Sequence, residues 1–348
     1  MNLIYTCIFF FIYPLFTQAQ KLELISRTEL PNGLQFQSTV VGGLSGLTAD
    51  GKNYFIVSDD KGKISPPRFY HIQLNSEKNN KNWSIQFLNT VKIQKKDISQ
   101  NFKPITADLE GIQYHKDQFL ILSDEGNSSS KPRRAPNLQT YSLDGYLQNQ
   151  IEVPTDYIPE ETGEQKRGVQ DNAGFEGLSL TPSQQILYAA IERNLVQDKI
   201  GPRIAIFDYQ KNKQFAFKKD CFYPIESSDY QSGEVVKGIS EIISLDENRI
   251  IVLERGIGFV NLSPTYFVKF YLVNMLECQK GKETLSKKMI FNLNEWNNLQ
   301  PTGQIIQNFE AMAWLNTDNT SQRTLIIVSD DNFKQREKTE FLFFKYSE

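Results

Sequence analysis

One short motif returns five times along the 348 residues, and a period of this kind constrains the architecture more tightly than any local propensity. The copies are Gly43-Leu44-Ser45-Gly46-Leu47, Asp108-Leu109-Glu110-Gly111-Ile112, Gly174-Phe175-Glu176-Gly177-Leu178, Gly238-Ile239-Ser240-Glu241-Ile242 and Asn308-Phe309-Glu310-Ala311-Met312. Their central residues lie 65, 66, 64 and 70 positions apart. Each copy is followed by a turn and an apolar run that ends in an acid, namely Asp59, Asp124, Glu192, Glu254 and Asp330. Third runs follow at 68–74, 138–143, 203–208, 266–273 and 341–346, and weaker fourth runs at 84–93, 147–153, 214–218 and 289–293.

Short runs rich in aromatic and β-branched residues favour strands. Four antiparallel strands per repeat make a propeller blade, so the expected fold is an all-β propeller of five blades. The last copy stops after its third strand, and residues 21–30 can supply the fourth, closing the ring through the two chain ends. A six-bladed ring with one degenerate blade in the long connections is the alternative. No linker divides the chain, so residues 20–348 read as one domain.

Residues 1–19 read as a signal peptide. An apolar core runs over 8–16, and Thr17-Gln18-Ala19 places small residues where a signal peptidase cuts. The expected location is therefore the periplasm or the extracellular space. No later segment is apolar over the length of a membrane span. The net charge is −3 with no basic stripe, which argues against a nucleic-acid partner. No obligate protein partner is indicated. Beyond the leader the chain keeps Cys221 and Cys278. They could pair in an oxidising compartment, but two cysteines make no framework, and two separate buried thiols are the expectation.

In a hairpin the start of the first strand lies beside the end of the second. The inner column of Ser45, Glu110, Glu176, Ser240 with Glu241, and Glu310 should therefore meet the column Asp59, Asp124, Glu192, Glu254 and Asp330 at one end of the ring axis. The long connections gather at that end too, and loops on one face of a scaffold are where sites form. Clustered carboxylates repel, and they coexist by pairing with arginine, by holding protons, or by binding a hard cation such as Ca2+, which takes six to eight oxygens. A repeated acid can equally fasten one blade to the next through backbone amides. Asp60, Glu125 and Asp331 follow the column acids in three blades, whereas Arg193 and Arg255 follow in the other two. Acids facing arginines suit a small polar or phosphorylated ligand. His71 and His115 read as structural or solvated, which leaves a Ser-His-Asp triad or a histidine-rich zinc site without support.

These repeats resemble the family called esterase-like activity of phytase, the phytase-like domain proteins. The residues that carry the resemblance include Leu44-Ser45-Gly46-Leu47 with Val57-Ser58-Asp59-Asp60 and Arg68-Phe69-Tyr70, and Leu109-Glu110-Gly111-Ile112 with Ser123-Asp124-Glu125-Gly126. They continue with Gly174-Phe175-Glu176-Gly177 and with Leu253-Glu254-Arg255-Gly256, and blade one departs by having Ser45 in place of Glu. The resemblance covers the chain from about residue 40 onward. It implies phosphomonoester or phosphodiester chemistry and an exported bacterial protein, with Glu110, Asp124, Glu125, Glu176, Glu192, Glu241 and Glu254 at the family's acidic positions. The expected function is a cation-assisted phosphoester hydrolase. Asp59, Asp60, Asp124, Glu125 and Asp330 would hold the cation, expected to be Ca2+. Glu110, Glu176 and Glu241 would act in catalysis, and Arg193, Arg255 and Arg68 would bind substrate. A non-catalytic propeller holding a polar ligand, glycan or surface protein is the alternative, and a lactonase-like esterase a third possibility.

Overall fold

Successive side chains of each second strand point to opposite faces, and here both faces are buried. In Tyr54–Ser58, Tyr54 and Ile56 pack toward one neighbouring sheet while Phe55 and Val57 pack toward the other. A sheet that is apolar on both faces must be sandwiched between two others. A closed ring of sheets meets that demand for every unit at once.

The computed structural model describes residues 22–51, 53–76, 82–96, 102–104, 106–300, 304–315 and 323–347. Five four-stranded antiparallel sheets are arranged as a five-bladed β-propeller. Blade one runs through Leu44–Ala49, Tyr54–Ser58, Arg68–Ser76 and Trp83–Lys92. Blade two contains Leu109–His115, Phe119–Asp124, Asn137–Ser142 and Leu147–Ile151. Blade three contains Phe175–Leu180, Ile186–Ile191, Arg203–Tyr209 and Phe215–Phe222. Blade four contains Glu234–Ser244, Arg249–Val260, Ser263–Asn274 and Lys287–Asn292. Blade five takes Asn308–Leu315, Arg323–Asp330 and Glu340–Tyr346 from the C-terminal part of the chain. Its outer strand is Leu22–Glu29, paired from Leu22 with Tyr346 to Glu29 with Glu340, as the repeat count requires.

The inner strand of each blade packs against the next, and that of blade five against blade one. Each of the five apolar clusters found among the described residues fills one seam between blades. Gly46, Gly111 and Gly177 allow the inner strands to approach this closely. A Cβ on Gly46 would lie 2.4 Å from the Glu110 carbonyl oxygen, and one on Gly111 2.7 Å from that of Glu176. Cys221 and Cys278 are bonded to each other, which overturns the expectation of two separate thiols. They tie the outer strand of blade three to the short helix Leu276–Gln279 of blade four.

Among the described residues no helix is long and apolar enough to cross a membrane. The predicted signal peptide lies outside the described residues. His115 is buried against Phe119, Tyr209 and Phe215 at the end of the ring away from the acids, and His71 stacks on Phe55. Both are parts of the packing.

Candidate active site

Hairpin pairing brings the inner column and the second-strand ends together at one mouth of the channel, because Leu44 pairs with Ser58 and Leu109 with Asp124. The floor of this funnel is acidic. Carboxylate oxygens of Asp108, Glu110 and Glu125 lie within 4.8 Å of one another, and all three side chains are buried. Glu125 accepts the Gly174 amide at 2.7 Å through Oε1, while its Oε2 is buried without a hydrogen-bond partner. Asp108 Oδ1 is likewise buried without one, and the other oxygen of Asp108 pairs with Lys61. Lys61 crosses from blade one and also donates to Asn172 Oδ1 at 3.0 Å, so it leans over the cluster.

Burial and mutual repulsion push these acids toward the protonated form. Desolvation raises Glu125 to about 8, aided by the charges of Asp108 and Glu192. Burial raises Glu110 and Glu176 well above the usual carboxylate range, and each sits in the field of neighbouring acids. Asp59, which is less enclosed, rises to about 6 through burial and the nearby Asp108. Asp330 is raised by burial and by Asp59. Burial works against the charge on Lys61, but Asp108, Glu110 and Glu125 outweigh it and raise its proton affinity.

On the blade-four side Arg255 offsets the acids. It donates to Glu192 Oε1 at 2.8 Å and to Asn308 Oδ1 at 2.9 Å, and it also pairs with Glu310. Its presence there corrects the sequence alignment. Ile239 pairs with Glu254 and Leu109 with Asp124, whereas the equivalent Leu44 and Phe309 pair with serines, so Arg255 and Glu125 hold the place of Asp59 and Asp330. A shift of one residue turns a side chain to the other face. Glu254 accordingly points away from the channel, where it accepts from Tyr223 and Lys287, each at 2.6 Å.

Several expected site residues are fasteners instead. Asp60 accepts the amides of Lys63, Ile64 and Ser65 and pairs with Arg68 at 3.0 Å. Arg68 is wholly buried and also donates to the Tyr70 hydroxyl and to the carbonyls of Val40 and Pro66, so its nitrogens are taken up within the fold. Asp124 accepts the amides of Asp108 and Gly126, both at 3.0 Å, and pairs with Arg134. Glu241 lies in the channel and accepts the amides of Leu178 at 3.1 Å and Ile242 at 2.9 Å. Met312 also donates to it, so Glu241 binds blades three, four and five together rather than serving as a base. Asp330 is held by the Asn332 amide and the Asn308 side chain. Arg193 anchors the carbonyls of Asp171 and Asn172 at 3.0 and 2.9 Å and touches Glu192, yet remains about one-third exposed at the rim.

Glu110, Glu125, Glu176 and Asp59 are left in one another's electrostatic field at the funnel floor, with Glu125 Oε2 unpartnered. Asp108 and Lys61 join them, although neither was singled out as a site residue from the sequence. Asp108 was visible as the one acid at a repeat position that is otherwise Gly or Asn. Three carboxylates with two unpartnered buried oxygens fit a hard divalent cation, which prefers such oxygen donors.

No curated protein matches the chain. Among solved structures it is similar to the endo-arabinase of Bacteroides thetaiotaomicron VPI-5482, at 11% identity over 88% of this chain and 95% of that one, TM-score 0.46. The exo-β-1,3-galactanase 1,3Gal43A of Clostridium thermocellum shares 11% identity over 91% of this chain and 62% of that one, TM-score 0.48. The WD40 β-propeller domain of Doa1 shares 9% over 93% and 96%, TM-score 0.34. Likenesses this distant carry no chemistry across. The family model for esterase-like activity of phytase, by contrast, matches residues 39–333, and the chain belongs to this phytase-like family.

Proposed function

We propose that the protein is a cation-assisted phosphoester hydrolase, working outside the cytoplasm on a small phosphorylated ligand at the funnel floor. The observation that carries this reading is the buried trio of Asp108, Glu110 and Glu125 with its two unpartnered oxygens. Those three side chains would hold the cation, with Ca2+ the expected ion. When bound, it would supply charge neutralisation at the phosphoryl oxygens and acidify water. Asp59 stands beside the trio with a proton affinity near neutrality, which suits a group that accepts a proton from attacking water. Lys61 and Arg193, both partly exposed at the rim, would orient the phosphate oxygens. Arg255 pairs with Glu192 and Glu310 and does not join the clamp. The Cys221–Cys278 bond is compatible with an oxidising location.

The test is a panel of chromogenic phosphomonoesters and phosphodiesters, assayed with calcium, with magnesium and with a chelator. We expect turnover that the chelator abolishes and calcium restores. Glu110→Gln should lower kcat/KM by about 100-fold or more, as when a group stabilising transition-state charge is lost. Absence of turnover on every ester with every cation overturns the reading and leaves a non-catalytic propeller that binds polar ligands on this face.

A further inference from the structure

Blade four differs from its neighbours in the reach of one hairpin. Its second and third strands, Arg249–Val260 and Ser263–Asn274, stay paired from Arg255 with Val268 out to Val260 with Ser263. Asn261 and Leu262 close the turn, with φ of 49° and 65°. In the other blades the second strand ends at or just before its column acid. At about 3.3 Å per strand residue, the five residues beyond Arg255 carry the turn roughly 17 Å past the funnel floor on the side of the acids.

The projecting turn is uncharged and its exposed bulk is apolar, with Asn261, Ser263 and Thr265 as its polar side chains, while the Glu234 side chain, opposite Gly258, is buried in an ion pair with Lys237. Residues 256–266 contain no charged side chain. Leu262 at the tip is 94% exposed, and Phe259 is 55% exposed. Pairing of Val236 with Ile257 sets Val236, Ile257 and Phe259 on one face, while Val260 lies on the other, and all four are exposed. The cations at its base turn inward, with Lys237 donating to the Asp229 carbonyl at 2.7 Å and Lys269 donating to the same oxygen. A flat protein partner would cover one face of such a projection and leave the other face and the tip wet. A fluid apolar medium wraps both faces and the tip together. An uncharged hairpin also pays no cost of desolvating ions on entry.

We propose that this hairpin is a lipid-docking element: Leu262 and Phe259 enter the acyl boundary of a membrane surface, and the funnel mouth is held close to the headgroups. Because the chain carries a net charge of −3 and the hairpin no cation, the attraction is apolar, and a zwitterionic surface suffices. The docking needs none of the steps of the hydrolase reading and stands or falls apart from it.

The test is co-sedimentation of the full protein with phosphatidylcholine vesicles. We expect a bound fraction that rises with lipid and is unchanged by high salt, and a Leu262→Trp variant whose added emission shifts to the blue on binding. Phe259→Asp with Leu262→Asp should weaken the partition by about tenfold or more at unchanged melting temperature, since both side chains are exposed. Wild-type protein remaining in the supernatant at all lipid concentrations overturns the proposal, as does equal binding by the double variant. Self-association abolished by the same substitutions, without vesicle binding, would assign the hairpin to a second copy of the chain.

Discussion

Arg255 brings a positive charge into the acidic channel, where Glu192 and Glu310 flank it in ion pairs. Burial opposes that charge, but the surrounding carboxylates hold the proton firmly. Removing one partner from such a network leaves the others buried and uncompensated. Arg255→Met should therefore cost about 3–5 kcal/mol in urea unfolding. Adding Glu310→Gln should recover part of that loss, because the two residues couple. Glu241 offers a contrasting case. Its oxygens serve amides of three blades, so Glu241→Ala should destabilise by about 2–4 kcal/mol, whereas Glu241→Gln keeps one accepting oxygen and should cost about 1 kcal/mol. Turnover by Glu241→Gln should match the parent protein, and a fall of a hundredfold would return this residue to the catalytic set. Asp59→Asn should remove the rising limb of the pH–rate profile near its titration at about 6, since the base must be deprotonated to act. The acids of the funnel were legible in the repeats. What each one binds was not, because an acid that caps amides and an acid that waits for a ligand look alike in one dimension. Asp60 and Glu125 each follow an aspartate in the sequence, yet pairing of Leu44 with Ser58 and of Leu109 with Asp124 puts Glu125 at the place of Asp59, one residue short of that of Asp60.

Strands and their order could be read from apolar alternation and turn residues, including the return of Leu22–Glu29 to the last blade. The blade-four register could not, because turn lengths differ between hairpins and the count from motif to acid is not constant. Every blade offers two consecutive charged residues here, Glu254 and Arg255 in blade four, and only the pairing of Ile239 with Glu254 decides which of those two faces the channel. Glycine spacing within the inner strands is a stricter signal. Gly46→Ala should cost about 1–3 kcal/mol by overpacking, since its new methyl would press on the backbone of blade two. Blade five tolerates Ala311 at the same repeat position, so the penalty belongs to the local seam and not to the motif. The disulfide closes a separation of 57 residues. Replacing both Cys221 and Cys278 by serine should lower stability by about 4 kcal/mol on the loop-entropy estimate, read from denaturant midpoints.

Across the whole molecule, the funnel acids make stability depend on pH. In the cation-free protein Glu125 keeps its proton up to about 8 against an ordinary 4.5, and Asp59 up to about 6 against 3.8. The unfolded chain releases those protons sooner, so it binds fewer protons over these intervals and stability falls as the pH rises. A bound cation must displace the same protons, and its stabilising effect should grow across the same range. Melting curves at about pH 5 and about pH 8 should show a lower cation-free midpoint at the higher value and a larger upward shift with calcium there. Equal shifts at both would remove the cation from this cluster. The ring itself was legible because five seams repeat one packing rule. Meetings such as Lys61 of one blade with Asp108 of the next arise from loops, whose paths no period records.

The pairing of Leu22 with Tyr346 brings the two ends of the described chain side by side within blade five. Such a ring has no privileged point of entry. A short peptide joining those ends, with a new opening cut at a turn such as Asp50–Gly51, would yield a circular permutant with the same seams and the same funnel. It would have exchanged a closure held by hydrogen bonds in blade five for one held by covalent bonds.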